Sequence, residues 1–186
     1  MTRIIIRAVL PERLEMVDYL RRHIHDAEIV VDQKRDGFDT LFRALDQAGD
    51  DPAVHMEEDT LLTVNFRDKL ETEIQARPNN VIQFFSMRKA DVEVGSRWDN
   101  NFLMFQCTYM PAGMSRDFRW FAEVWHSNHP EHPGGMDLAF RDFLKSRKEK
   151  YWIVCPSLVD HRNVPSMISA NHARGRQSKT FQEPLA

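Results

Sequence analysis

The sequence predicts an α/β fold: a single Rossmann-like domain with a mainly parallel central sheet flanked by helices. Three observations lead there. Short runs rich in β-branched and aromatic residues alternate with longer segments whose apolar residues recur at helical spacing. No internal repeat or low-complexity linker divides the chain. Its 186 residues, 42% hydrophobic and 28% charged, are enough for one buried core.

The elements follow in order. "RIIIRAVL" (3–10) reads as a buried strand bounded by Pro11. "PERLEMVDYLRRHIH" reads as a helix, with proline in its first turn and Leu14, Val17, Leu20 and Ile24 at helical spacing. "EIVVDQ" (28–33) is a second strand. "GFDTLFRALDQAG" puts Phe38, Leu41, Phe42 and Leu45 on one face, and Gly49 stops that helix. "AVHM" is a third strand, running directly into Glu57, Glu58 and Asp59. Phe66, Leu70 and Ile74 mark the next helix. "NVIQFFSM" (80–87) is a strand, "KADVEVGSRWDN" a polar loop and "NFLMFQCTYM" another strand. "SRDFRWFAEVWHS" and "GGMDLAFRDFLKSRKEK" are helices, the second ending in a basic turn that suits the helix dipole. "YWIVCPSLV" is the last strand, broken by Pro156.

Composition narrows the function classes. No stretch is long and apolar enough to span a membrane, and the first residues do not read as a signal peptide. Cys107 and Cys155 suggest neither a disulfide framework nor a metal site, so a reducing cytoplasm is expected. Net charge is −3 and the sequence pI about 6.2, which is not a general nucleic-acid-binding composition. The last segment, 169–186, is locally basic through Arg174, Arg176 and Lys179. It reads either as a solvated, partly disordered terminus or as a segment that meets a phosphate.

The three acids raise the functional question. Two like charges about 4 Å apart repel by about 4 kcal/mol at an effective dielectric near 20. A divalent cation turns that cost into attraction. Glu57 and Asp59 alternate, so both are expected to point into one cleft, with Glu58 pointing away. Carboxylates and water are what Mg²⁺ or Mn²⁺ prefer, with substrate phosphates completing the shell. The competing reading is plain helix capping by Asp59 or Thr60. The strand order puts the acids at the carboxyl end of the third strand, where open α/β sheets bind ligands. His161 follows the last strand and is expected at the same edge, as a further metal ligand.

Taken in order, these pieces resemble a GT-A-type glycosyltransferase, close to phage DNA-base glycosyltransferases and the lipopolysaccharide glycosyltransferase family. The likeness runs over residues 3–181. It rests on the first strand and helix joined by "RAVLPER", and on "GFDTLFRALDQAGDDPAVHMEEDTLLTVNF", which matches that family's helix, strand and acidic motif. "VIQFF", a glycine-containing loop, "GGMDLAF" and a final "PSLVDH…S" complete it. Where the family has a Leu-Glu-Asp-Asp run, this chain has Glu57-Glu58-Asp59, and it is short for the fold, so the resemblance implies that acceptor-binding elements would be reduced or supplied by a partner.

The resemblance implies a fold of GT-A type and a metal-dependent transfer of sugar from a nucleotide-sugar, by family analogy a UDP-sugar. Asp59, supported by Glu57, would bind Mn²⁺ or Mg²⁺, and His161 would be the C-terminal ligand. Arg7, Asp32 and Glu58 would line the donor site. Asp137 would face the acceptor hydroxyl as a base, or serve simply as a helix N-terminal acid. Arg174, Arg176 and Lys179 would close over the diphosphate, seated by Ser178 and Phe181. Trp98, Arg116 and Arg119 suit stacking on a sugar or base, although Trp120 on the same helix suits packing.

His126, His129 and His132 read as a surface loop near the acceptor rather than a zinc site. The acceptor expected first is a 5-hydroxymethylpyrimidine in phage DNA, in the host cytoplasm. The alternatives are lipopolysaccharide or another surface glycan, and, from another class, a non-catalytic nucleotide-binding protein. A phosphotransferase is disfavoured, because the sequence has no P-loop pattern.

Overall fold

The computed structural model describes residues 1–165, 167 and 175–185. Its strands are β1 (Arg3–Ala8), β2 (Glu28–Val31), β3 (Ala53–Glu57), β4 (Thr60–Leu62), β5 (Ile82–Gln83), β6 (Arg97–Asp99), β7 (Cys107–Met110), β8 (Tyr151–Ile153) and β9 (Val159–His161). Its helices are α1 (Leu14–His23), α2 (Gly37–Ala48), α3 (Phe66–Ala76), α4 (Asp91–Val94), α5 (Met114–Asn128) and α6 (Met136–Ser146). Among the described residues, no helix is long and apolar enough to cross a membrane.

The class is α/β, as expected, with a seven-stranded sheet in the order β2-β1-β3-β7-β5-β8-β6 and a separate pair, β4-β9. The sheet is mixed. β1 runs parallel to β2 and β3, and β5 parallel to β8. β7 is antiparallel to both its neighbours, and β6 is antiparallel to β8. A parallel return needs a crossover of a dozen or more residues, usually helical. Between β5 and β7 the only helix is the four-residue α4, and β7 comes back the other way. The stretch read as a loop, "KADVEVGSRWDN", contains α4 and the edge strand β6. Trp98 of β6 pairs with Trp152 of β8, their rings edge to face at 5.3 Å, which accounts for a strand in so polar a segment.

Two apolar layers cover the sheet. Alternate residues of β1 and β3 (Ile4, Ile6, Val54, Met56) pack with Tyr19, Leu20 and Ile24 of α1 and Phe66, Leu70 and Ile74 of α3. The other layer is built by Phe38, Leu41 and Leu45 of α2, Phe118 and Trp125 of α5, and Phe140 and Phe143 of α6. The helical spacings seen in the sequence are the buried stripes of these helices. Asp36 caps α2 by accepting from the amides of Phe38 and Asp39, and Gly49, at φ +59°, ends it.

This layering positions the site. The β1–α1–β2 unit leads one way along the sheet and β2–α2–β3 leads back past β1, so α1 and α2 lie on opposite faces. The carboxyl ends of β1 and β3 therefore border a crevice at a topological switch point. The sequence reading did not foresee the β4–β9 pair, whose strands are three residues each. It is buttressed by the C-terminal segment: the Leu185 amide donates to Leu62 O (2.8 Å), the Val64 amide to Glu183 O (2.9 Å), and Thr63 bridges Pro184. Ser178 joins in through its amide to Asp160 (2.6 Å) and its hydroxyl to Ser157 (2.9 Å). Residues 178–185 are thus tied along the small sheet, with Thr180 buried and Lys179, Gln182, Glu183 and Pro184 exposed.

The Tyr19 hydroxyl ties these parts together. It accepts from the Leu62 amide (3.1 Å) and donates to Leu185 O (3.1 Å), with the residue buried. Tyr19→Phe leaves a buried amide and a carbonyl without partners and should cost about 1–3 kcal/mol. Urea denaturation measures it, and unchanged stability would show that the strap is not held there.

Candidate functional site

At the end of β3 the chain turns through Glu58 and Asp59 into β4. Each acid's backbone is pinned by a different segment. The Glu57 amide donates to Gln106 O (2.9 Å), the Glu58 amide to Arg7 O (3.1 Å), and the Arg162 amide to Asp59 O (2.8 Å). The acids are therefore fixed relative to β1, to the start of β7 and to the end of β9.

The side chains open into a cleft at this switch point. It is lined by Arg7, Arg13, Asp32, Glu57, Glu58, Asp59, Phe105, Gln106, Met136, Asp137, His161 and Arg176, with several backbone-rich positions between them. Glu58 does not point away as strand alternation predicted. The alternation ends at Glu57, because Glu58 and Asp59 lie in a turn, and all three carboxylates line the cleft.

The partners of the acids differ. Glu57 is held on both oxygens, by Arg7 Nη2 at 3.1 Å and Gln106 Nε2 at 2.8 Å. Arg7 is itself buried, lying 5.0 Å from the Phe105 ring centroid and donating to Phe105 O. Glu58 faces Arg13, 3.8 Å away. Asp59 Oδ2 lies 3.3 Å from His161 Nε2. Asp59 Oδ1 and His161 Nδ1 are buried without hydrogen-bond partners among the described residues. β4–β9 pairing creates this last contact, since Thr60 is opposite His161 in the register.

Burial pushes the Glu58 carboxyl up to about 8, with the charges of Asp59 and Glu57 adding to the effect against a smaller pull from Arg13. Burial also raises Glu57, opposed by Arg7 and reinforced by Asp59 and Asp137. For His161, burial disfavours the charge, but the hydrogen bond to Asp59 and the charges of Asp59 and Glu57 outweigh it, so its affinity for a proton rises. Arg176 opposes that rise, which puts its charge within reach of the same spot. Burial and the clustering of acids thus both favour protonation of Glu57 and Glu58, and the neighbouring acids favour the protonated form of His161.

The residues fit a hard divalent cation in part. Asp59 and His161 converge, Asp59 has a spare oxygen, and waters with substrate phosphates can supply the remaining ligands. Among the described residues, no three His, Cys, Asp or Glu side chains form a metal cage by themselves. Glu57 has both oxygens occupied, and it fits the neighbourhood of a cation better than direct ligation.

The remaining candidates divide clearly. Asp32 follows β2 in the cleft, where one oxygen accepts from the Lys34 and Asp36 amides (3.0 and 3.2 Å) and shapes the loop. Asp137 stands in the first turn of α6, in the cleft, accepting from the Leu138 amide. That arrangement suits both the helix-acid and the base reading. Arg176 lines the cleft. Lys179 is exposed and is not among its lining residues, and Arg174 falls outside the described residues.

Trp98, Arg116 and Arg119 are not brought to the cleft. Trp98 lies on the edge strand β6. Arg116 is paired with Asp50 and Asp117, and Arg119 with Asp46 and Glu123 while covering the Phe42 ring. Of the three histidines read as a surface loop, His126 lies in the last turn of α5 and stacks on Phe38 at 4.1 Å, while His129 and His132 follow the helix and stack on Trp125 at 4.2 and 6.2 Å.

Sequence reasoning missed Arg13 and Gln106. Each left a faint signal. Arg13 is a cation beside the N-terminus of α1, where acids are favoured. Gln106 is the one polar residue in "FLMFQC". No protein-family model matches the chain, and no curated protein is significantly similar to it.

The raised Glu58 carboxyl has a consequence for stability. Folded protein holds this proton up to about pH 8, whereas the unfolded carboxyl has its ordinary value of 4.5. The folded state binds more protons in that window, so this group's contribution to stability falls as pH rises from 4.5 to 8. Glu58→Gln should therefore raise the Tm of metal-free protein by about 3–6 °C at pH 8 and far less at pH 5. Calorimetry across that range checks it; a pH-independent difference would contradict it.

Proposed function

We propose that this protein is a metal-dependent glycosyltransferase that uses a nucleotide-sugar donor. The observation that carries the reading is the Asp59–His161 pair, 3.3 Å apart, in an acidic cleft at the sheet's switch point and flanked by Arg13 and Arg176. A nucleotide-sugar has the complementary chemistry: a diphosphate that takes a divalent cation and arginines, next to a sugar bearing hydroxyls. The ordered resemblance of the sequence to GT-A-type enzymes points the same way.

On this reading Asp59 and His161 would hold Mn²⁺ or Mg²⁺, whose charge would offset that building on the departing diphosphate. Arg176 closes on the same phosphates from the C-terminal segment. Asp32 meets the nucleoside at the end of β2. The reaction breaks the bond from the anomeric carbon to the diphosphate oxygen and forms one to the acceptor oxygen. In an inverting reaction Asp137 takes the acceptor hydroxyl's proton.

The acceptor to test first is a 5-hydroxymethylpyrimidine in DNA, reached by flipping the base. One observation favours a second, a hydroxyl of a surface glycan or small molecule. Arg116 and Arg119, expected on a nucleic-acid face, are each neutralised by two acids, and Trp98 stands away from the cleft.

Release of nucleoside diphosphate from a panel of nucleotide-sugars with Mn²⁺ tests the proposal, with and without DNA carrying 5-hydroxymethyluracil or 5-hydroxymethylcytosine. Asp59→Ala and His161→Ala should each lower the rate by about 10²-fold or more. Chelator should abolish it. DNA-stimulated release that weakens steeply with salt assigns DNA as acceptor. Release indifferent to DNA assigns the other class. No metal-dependent release from any donor by folded protein would overturn the reading and leave a nucleotide-binding or structural role.

A further inference from the structure

Among the described residues, every arginine except Arg21, Arg22, Arg162 and Arg176 has a carboxylate oxygen within 4.0 Å. Residues 166 and 168–174 add no Asp or Glu that could supply one. The four exceptions are not scattered. Arg176 lines the cleft, and the other three line one shallow groove along the outer side of α1.

Two distant segments build this groove. α1 turns Leu20 and Ile24 into the core, which leaves Arg21 and Arg22 exposed in its last turn. Arg162 comes to the same helix from beyond β9, and its guanidinium carbon lies 4.7 Å from the Tyr19 ring centroid. Tyr19 and Arg22 are three residues apart, so they are neighbours on the helix surface. A guanidinium held over a ring keeps its N–H edge for an acceptor. Glu15 and Asp18 also line the groove, in the first half of α1, and neither comes within 4.0 Å of the three arginines. A basic last turn that complements the helix dipole accounts for Arg21 and Arg22. It does not account for Arg162, which belongs to no helix and meets no acid.

The groove and the cleft share a wall. Arg162 directly follows His161, and its amide donates to Asp59 O at 2.8 Å. Arg13, in the cleft, contacts the sulfur of Met16, in the groove, at 3.6 Å. A ligand with anionic groups in a row fits this layout, lying in the groove while one of its units enters the cleft. We infer that the groove is the docking face for the phosphate backbone of the DNA that carries the acceptor hydroxyl, with Arg21, Arg22 and Arg162 as its phosphate contacts. This rests on the glycosyltransferase reading and adds to it the place where the acceptor's backbone lies. Guanidinium groups match phosphate bidentately. A chain of net charge −3 repels a polyanion as a whole, so an approach needs a local patch of cations that no acid neutralises. Arg116 and Arg119 do not offer one, and this groove does. A lipid surface fits it less well, because a membrane-surface helix turns its apolar stripe outward, and α1 buries its own.

The test measures binding of a labelled oligonucleotide carrying 5-hydroxymethyluracil, single-stranded and duplex, by fluorescence anisotropy across a salt series. Wild type is compared with the double variant Arg21→Gln/Arg22→Gln, with Arg162→Gln, and with Arg116→Gln as a control at a neutralised surface arginine. Circular dichroism checks folding, and calorimetry with Mn²⁺ measures binding of nucleoside diphosphates to the same proteins. The double variant should bind DNA about tenfold or more weakly at low salt, with the slope of log K against log salt reduced by about two. Arg162→Gln should reduce that slope by about one. Arg116→Gln should bind DNA as wild type does, and nucleoside diphosphate binding should stay within about twofold in all three variants.

DNA binding unchanged in the groove variants, or weakened equally by Arg116→Gln, would overturn the inference. So would a wild type that binds no DNA at low salt, and nucleoside diphosphate binding by that protein would leave the donor reading standing. Binding to anionic phosphatidylglycerol vesicles in place of DNA, lost in the same variants, would overturn it in favour of a lipid surface. If wild type binds DNA through the groove but no nucleoside diphosphate with Mn²⁺, the glycosyltransferase reading fails, and with it the assignment of that DNA as an acceptor.

Discussion

Glu57, Glu58 and Asp59 stand side by side at the end of a buried strand, and like charges about 4 Å apart cost about 4 kcal/mol at an effective dielectric near 20. Much of the surrounding structure is arranged against that repulsion. Arg7 and Gln106 take the two oxygens of Glu57, Arg13 faces Glu58, and His161 is brought against Asp59. Burial, with the charges of Asp59 and Glu57 adding to it, still raises the Glu58 carboxyl.

The counterparts come from distant parts of the chain. Arg7 lies on β1, Gln106 before β7, His161 at the end of β9 and Arg176 beyond it. Each reaches the acids by a different device. Parallel pairing sets Arg7 opposite Glu57, and antiparallel β7 delivers its first end to the edge where parallel strands finish. The small sheet carries His161 across to Asp59. The C-terminal strap then holds that sheet in place through Thr63, Ser178 and Leu185. The relative placement of the cleft side chains therefore depends on these joints.

Much of the frame was legible in the chain, because helical faces obey local rules. Phe38, Leu41 and Leu45, or Phe66, Leu70 and Ile74, read directly as buried stripes, and Asp36 and Gly49 bracket α2. β6 was not legible, because a polar strand is stabilised by its neighbour: Trp98 belongs to a sheet only when Trp152 is beside it. For the same reason Arg116 and Arg119 looked like ligand-seeking cations until their partners Asp50, Asp46 and Glu123 folded against them.

By itself the sequence determined the α/β class, the strand that ends in three acids and the edge at which they stand, since periodicity and chain order are local quantities. Tertiary structure decided the rest. It reversed β7, turned Glu58 into the cleft, paired Asp59 with His161 and aimed the Gln106 amide. Strand direction, a partner 102 residues away (Asp59 to His161) and the orientation of one amide depend on which segments meet. Spacing along the chain carries no record of those meetings; they follow from burying two apolar faces of one sheet at once.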